Sequence, residues 1–251
     1  MKRYNTVLVI AGLDPSGGAG LLADTKVCTL TGSYAMGVAT SLTVQNTAGV
    51  WRAESIDSTL LGEQIEKAIE DIRPDAVKIG MVQSGGQVRV ISDIIRRYEL
   101  KNVVCDPVLV STSGHSLIDD LDEGIALRKE LLFPLCELVT PNLPESRLLG
   151  IKEGAREYNV LVKGGHIENS EISDDILIYK DGEREQFSGR RIKTRNTHGT
   201  GCVLSSAIAS GLAKGMILNE AITAAKEFLS ERLKHGSDYD AGHGHGGMYL
   251  I

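Results

Sequence analysis

Asn196-Thr197-His198-Gly199-Thr200-Gly201-Cys202 runs directly into an apolar, small-residue stretch from Val203 to Leu212. Glycines on either side of Thr200 let a loop turn sharply into a helix start. Several backbone N–H groups and the positive end of the helix dipole then point at one spot, which stabilises a phosphate or a developing anion. Cys202 falls in the first turn, where the same field favours a thiolate. Gly199, Thr200 and Gly201 are therefore candidate anion-hole residues, and Cys202 a candidate base. Helix starts also use glycine for steric reasons alone, so this reading depends on what else the chain supplies.

Seven further residues supply it. Asp14, Gln45, Met81, Asp106, Asn142, Glu145 and Lys163, like Cys202, follow predicted strands or open helices. Ligands of open parallel sheets bind beyond the carboxyl ends of the strands. Taken singly, each has an ordinary explanation: Asp106-Pro107 can be a strand stop and Asn142 a helix cap. Together their chemistry is coherent. Asp106 and Glu145 are hard oxygen ligands suited to Mg²⁺, directly or through water. Lys163 can neutralise phosphate oxygens. Phosphoryl transfer needs little beyond positioning and charge neutralisation. No GxxxxGK[ST] motif occurs, which argues against a Walker-type site.

The elements that must carry these residues alternate. Apolar runs at Thr6–Ala11, Gly37–Thr43, Ala76–Met81, Asn102–Val108, Leu138–Thr140 and Val160–Lys163 read as buried strands. Helical spacing falls at about Leu21–Leu30, Glu63–Ile72, Gln87–Tyr98, Leu121–Leu132, Val203–Lys214 and Asn219–Lys234. Asp181-Gly182 between Ile176–Lys180 and Glu183–Ser188 predicts a hairpin. Strands that are apolar throughout, alternating with helices, predict a mostly parallel sheet covered on both faces. The 251 residues suit one large α/β domain, taken as 1–251, without repeats or low-complexity linkers. Only the Gly242–Gly247 tail is biased, and a flexible end or a docked one explains it equally well.

A net charge of −6 without a basic stripe argues against a nucleic-acid partner. Cys28, Cys105, Cys136 and Cys202 form no CxxC pair, which argues against structural zinc and fits a reducing cytoplasm. The first three lie among apolar residues and read as small hydrophobes. The Val7–Ala11 run is too short for a signal core or a membrane span.

Longer motifs resemble those of a known family. Ala11-Gly12-Leu13-Asp14-Pro15-Ser16-Gly17-Gly18-Ala19-Gly20, Ala23-Asp24 and Gln45-Asn46-Thr47 resemble the N-terminal signature of hydroxymethylpyrimidine/phosphomethylpyrimidine kinases of thiamine biosynthesis. Lys78-Ile79-Gly80-Met81, Asp106-Pro107-Val108, Thr140-Pro141-Asn142-Leu143-Pro144-Glu145, Lys163-Gly164-Gly165-His166 and the Asn196–Cys202 segment resemble further blocks in the same order. The resemblance implies a three-layer α/β/α, ribokinase-like fold and a homodimer. It implies ATP with Mg²⁺ as phosphoryl donor, and 4-amino-5-hydroxymethyl-2-methylpyrimidine, then its monophosphate, as acceptor. By motif, Gln45 hydrogen-bonds the aminopyrimidine edge while Gly12, Ala19, Asp24 and Met81 line the pocket. Asp106 and Glu145 serve Mg²⁺. Lys163, Asn142 and Thr200 serve the nucleotide. Cys202 stands where related sugar kinases have an aspartate base.

Three departures accompany the resemblance. Thr112 stands where the family often has a lysine before Ser113-Gly114. Residues 146–159 leave a crossover near the shortest that parallel strands allow, about 10–12 residues. The Gly/His tail matches the family's glycine-rich end only in part. Two other functions fit the residues less well. Pyridoxal kinase activity suits a planar hydroxymethyl substrate, but Gln45 favours an aminopyrimidine, since an amide both donates and accepts. A non-catalytic binding protein has no need of Asp106, Glu145, Lys163 and Cys202 together.

Overall fold

Strands without polar positions need cover on both faces, and the sheet receives it. The computed structural model describes residues 3–109, 117–151, 154, 156–165 and 172–251. In chain order its elements are Thr6–Leu13 (β1), Gly20–Leu30 (α1), Tyr34–Asn46 (β2), Gly49–Ser55 (β3), Ser58–Asp71 (α2), Ala76–Ile79 (β4), Gly85–Arg97 (α3) and Val103–Cys105 (β5). Leu121–Leu127 (α4), Leu138–Val139 (β6), Leu143–Leu148 (α5), Asn159–Val162 (β7), Asp175–Ile178 (β8), Arg184–Phe187 (β9), Thr200–Ala213 (α6) and Leu218–His235 (α7) follow. Among the described residues the strands form one sheet in the order β3-β2-β1-β4-β5-β6-β7-β8-β9. Its centre is parallel; β3, β8 and β9 pair antiparallel at the two edges.

Alternation along each strand feeds two cores. Leu8, Ile10, Val77 and Ile79 pack on one face with Leu61, Ile65, Ile91 and Ile94 of α2 and α3. Val7, Val9, Ala11 and Ala76 pack on the other with Val27 of α1 and Val203, Leu204 and Ile208 of α6. Each fully buried Val, Leu or Ile among them contributes about 1.5–3 kcal/mol. The mostly parallel sheet with helices on both sides is as the alternating sequence predicts. Cys28, Cys105 and Cys136 are buried in it as free thiols.

The chain extends several predicted elements. β2 continues to Asn46, so Gln45 lies inside the strand rather than beyond it. β3 carries no periodic burial, which is why its sequence gave no strand signal. α2 begins at Ser58 because the Asp57 carboxylate accepts from the N–H groups of Thr59 and Leu60. The helix expected over Leu121–Leu132 is α-helical to Leu127 and then widens into a π-type turn at Arg128–Leu132. The 146–159 crossover is short: α5 ends at Leu148 and β7 starts at Asn159.

β1 is flanked by β2 on one side and β4 on the other, so the chain reverses its winding at the carboxyl end of β1. Crevices at such switch points are where ligands bind. The Asp14–Ala19 loop, the end of β2 and the start of α6 meet there.

Candidate active site

Gly199 precedes α6 with φ +79°, a left-handed conformation that costs glycine nothing. A Cβ there would stand 2.0 Å from the carbonyl oxygen of Gly18, so only glycine lets this turn seat on the Asp14–Ala19 loop. Gly201 has a different constraint. A Cβ on it would stand 2.9 Å from Lys163 Nζ and 3.2 Å from Asp106 Oδ2. The first turn of α6 thus presents bare backbone to an ammonium and a carboxylate. Among the described residues no side chain caps this helix start.

Strand ends deliver both charges. Asp106 follows β5, its N–H donating to the Ile79 carbonyl at 2.8 Å. Lys163 follows β7, its N–H donating to the Pro141 carbonyl at 2.9 Å. Lys163 Nζ donates to Asp106 Oδ1 at 2.7 Å, and the Thr140 hydroxyl approaches the same oxygen at 3.4 Å. Burial works against the Lys163 ammonium, but the charges of Asp106 and Glu145 outweigh it and hold its pKa above the ordinary value. The residue is a cation at neutral pH.

Glu145 and Asn142 are primarily structural here. Asn142 caps α5, accepting from the Glu145 N–H, while Glu145 Oε2 accepts from the Asn142 N–H at 2.9 Å. This capping box is the ordinary reading of Asn142 made real. Glu145 Oε1 accepts from the Leu109 N–H at 3.2 Å. That bond secures the turn after Asp106, where Val108 is held at φ +34°, a strained value for a β-branched residue. Burial pushes the Glu145 carboxyl up; Lys163 opposes this and Asp106 reinforces it.

Cys202 departs from expectation. The helix field was expected to lower its pKa, yet burial pushes the thiol up to about 11. Lys78 and a Gly20 N–H act in the lowering direction, while Asp24 and Asp106 add to the rise. Desolvation and two carboxylates outweigh one helix terminus, so the resting group is a thiol.

Asp24 departs as well. It does not line an open pocket: it is fully buried, 2.5 Å from the equally buried Lys78 Nζ, and accepts from the Ser206 hydroxyl at 2.8 Å. Alternation in β4 turns Lys78, with Ala76, toward α1 and α6. Burial alone would depress the Lys78 ammonium, but Asp24, Cys202 and Asp106 raise it above its ordinary value. Ser206 lies one turn beyond Cys202, so this pair underlies the anion-hole turn. Lys78→Met leaves Asp24 buried without its cation and is expected to cost about 3 kcal/mol of stability. Urea unfolding measures this. An Asp24→Leu/Lys78→Met double variant should recover most of the loss, and failure to recover it would mean packing rather than charge is responsible.

At the β1–β2 end, the remaining substrate candidates converge. A Cβ on Gly12 would stand 2.9 Å from Met81 Cε. The Thr40 hydroxyl donates to the Met81 carbonyl at 2.6 Å, and the Ala19 N–H donates to Asp14 Oδ2 at 3.0 Å. Gln45 approaches His198 at 3.4 Å. The 198–202 segment thus links a Gln45–Met81 end to an Asp106–Lys163 end. Thr112 and His166 lie outside the described residues. Sequence reasoning passed over His198 and Lys78, although both stand inside motifs it quoted.

The tail is docked. The Gly244 N–H donates to the Thr47 hydroxyl at 3.2 Å, the His198 N–H donates to the Gly246 carbonyl at 3.2 Å, and Asn196 Nδ2 donates to the Gly236 and Tyr239 carbonyls. His243 and His245 face solvent. Among the described residues no group of three or more His, Cys, Asp or Glu side chains gathers as a metal cluster.

Comparison with known proteins gives a consistent picture. A family model described as phosphomethylpyrimidine kinase matches residues 14–248. A hydroxymethylpyrimidine/phosphomethylpyrimidine kinase from Rhizobium meliloti is 40% identical, over 96% of this chain and 95% of its own. A probable thiamine biosynthetic bifunctional enzyme from Oryza sativa is also 40% identical, over 97% of this chain; the chain spans only 47% of it, about half its length. Among solved structures, a phosphomethylpyrimidine kinase from Clostridium difficile is 36% identical with TM-score 0.76, covering 90% of this chain and 98% of that one. An ADP complex of Bacillus subtilis pyridoxal kinase is 29% identical with TM-score 0.84, covering 98% and 97%.

Proposed function

The chain belongs to the phosphomethylpyrimidine kinase family, and from that premise we propose that it is an ATP-dependent kinase of thiamine pyrimidine precursors. It phosphorylates 4-amino-5-hydroxymethyl-2-methylpyrimidine and then the resulting monophosphate. The observation that carries this reading is the side-chain-free face of Gly201, set against Lys163 Nζ and Asp106 Oδ2 at a helix N-terminus. A transferring phosphoryl group needs such a cation and such N–H donors. Gln45 at the other end of the 198–202 segment supplies the hydrogen-bonding edge for the ring.

Each site residue has a role in this proposal. Gly199, Thr200 and Gly201 hold the transferring phosphoryl group, with Lys163 neutralising it. Asn142 and Thr200 lie toward the nucleotide. Gly12, Ala19 and Met81 shape the ring pocket, and Gln45 reads its edge. Asp24 acts from beneath, through Lys78. The residues present fit Mg²⁺, which keeps several waters and takes one or two carboxylates together with substrate phosphates. Asp106 Oδ2 is the oxygen turned toward the anion hole, and Glu145, whose oxygens already accept backbone N–H groups, would act through water. When bound, the ion supplies charge neutralisation between donor and acceptor phosphates.

ATP use is supported by the ADP complex of the pyridoxal kinase above. We take residues 1–251 as one domain, because β1 through β9 share one sheet. A homodimer is supported by the exposed apolar side chains Leu42, Val44 and Trp51 on the β2–β3 hairpin; a single-chain mass by light scattering would remove this part of the proposal. A cytoplasmic setting is supported by four free cysteines. No helix among the described residues is long and apolar enough to cross a membrane.

ADP release measured side by side with hydroxymethylpyrimidine, its monophosphate, pyridoxal and pyridoxine tests the function. Turnover is expected with both pyrimidines. Absence of turnover with all four would end the kinase reading, and faster turnover of pyridoxal would reassign the substrate.

A further inference from the structure

His198 joins four parts of the site. Its Nε2 lies 2.8 Å from Asp14 Oδ2 and 3.4 Å from the Gln45 amide. Its ring edge covers Gly18, where a Cβ would stand 2.7 Å from Cδ2. Its backbone N–H is held by the Gly246 carbonyl. Nε2 and the Cδ2 edge of the ring are both held.

These contacts fix the hydrogen-bonding role of Nε2 and the orientation of the amide. Burial pushes the Asp14 carboxyl up, but hydrogen bonds from His198 and Ser16 outweigh this and hold it below its ordinary value. A carboxylate only accepts, so His198 Nε2 must carry a proton. A protonated nitrogen cannot accept, so the end of the Gln45 amide that faces it must be the carbonyl oxygen. The other amide end gives the same answer. It lies 3.1 Å from Thr43 Oγ1, whose single proton goes to the Leu13 carbonyl at 2.8 Å. That amide end must therefore donate. Gln45 Nε2 is set toward His198 and its Oε1 toward Thr43; the donors and acceptors on both sides require the amide turned by 180°, with its oxygen toward His198 and its NH₂ toward Thr43. One proton and one lone pair remain for a ligand. They match a ring nitrogen beside an amino group, which accepts and donates in turn.

We propose that His198 is a positioning residue for substrate selection: by sharing its Nε2 proton between Asp14 and Gln45, it locks the amide in the orientation that recognises an aminopyrimidine. The substrate class rests on the kinase reading; the orientation of Gln45 does not.

The test compares wild type, His198→Leu and His198→Gln on 4-amino-5-hydroxymethyl-2-methylpyrimidine and on its analogue lacking the amino group. His198→Leu is expected to raise KM for the amino substrate about 10-fold, and KM for the analogue less than about 2-fold. His198→Gln, which keeps an N–H donor, should return KM to within about 3-fold of wild type. Equal losses on both substrates would overturn the proposal, as would a Gln variant no better than Leu at an unchanged melting temperature. If wild type turns over neither pyrimidine, the kinase reading fails by itself. The ¹⁵N spectrum then decides on His198. A Gln45 side-chain N–H pair whose chemical shifts move between wild type and His198→Leu supports it, and an unaltered pair overturns it.

Discussion

Lys163→Met is expected to slow both phosphoryl transfers about 10³-fold, the scale seen when a charged donor is taken from a transferring phosphoryl group. Lys163 Nζ faces the bare backbone of Gly201 and holds Asp106 at 2.7 Å. Its side chain is only 13% exposed, so water cannot replace the charge once it is removed. Its raised pKa keeps it cationic throughout the neutral range. Methionine preserves most of the packing volume, but it leaves Asp106 without its partner. Thermal melting must therefore accompany the kinetics, to separate lost catalysis from lost folding. The ammonium acts on phosphate oxygens in either reaction, so the alcohol and the monophosphate should suffer alike. Lys163→Arg should rescue poorly, because a planar fork cannot occupy a space shaped for a point charge beside Gly201. A loss below tenfold on both substrates in a folded variant would take Lys163 away from the reacting phosphate.

The legible and the illegible parts of this chain divide along physical lines. The central strands were legible because a parallel sheet buried on both faces writes an unbroken apolar run, as in Val7–Ala11. The Asp181-Gly182 hairpin was legible from turn chemistry alone, and β8 and β9 flank it as expected. β3 was not legible, because an exposed edge strand carries no burial period. The boundaries of α2 were set by Asp57, a cap just upstream of the apolar pattern. Within the site, the residues at strand ends were found because an element end is a sequence-visible place. The motif places Asp24 in the lining of the ligand pocket and gives Lys78 no role. Only the alternation of β4 against the inner face of α1 shows that they neutralise each other beneath it. The tail's docking was beyond sequence, since it depends on contacts with Thr47 and His198, some 197 and 48 residues away. The thiolate expected at Cys202 failed for a quantitative reason: one helix terminus was weighed, while burial and the carboxylates of Asp24 and Asp106 were not in view.

The buried thiol of Cys202 underlies the other large effect. Cys202→Ala should reduce transfer to the alcohol about 10³-fold, within the range of lost general-base catalysis, and transfer to the monophosphate less than about 3-fold. The two acceptors differ in one respect. An alcohol must lose a proton as it attacks, whereas a phosphate monoester is already anionic at neutral pH. With the thiol raised to about 11, only a small fraction is thiolate at pH 7. Each pH unit between 7 and 9 should multiply that fraction, and the first transfer, about tenfold, with no levelling near the ordinary thiol value of about 8.5. The second transfer should show no such slope. Cys202→Asp should restore part of the first reaction and flatten its pH dependence, because an aspartate is ionised across this range. Alkylation supplies an independent measure: Cys202 should react with iodoacetamide at pH 8 more slowly than a free thiol. Parallel losses in both transfers, or a wild-type profile that levels near pH 8.5, would mean that Cys202 shapes the anion hole without taking the proton.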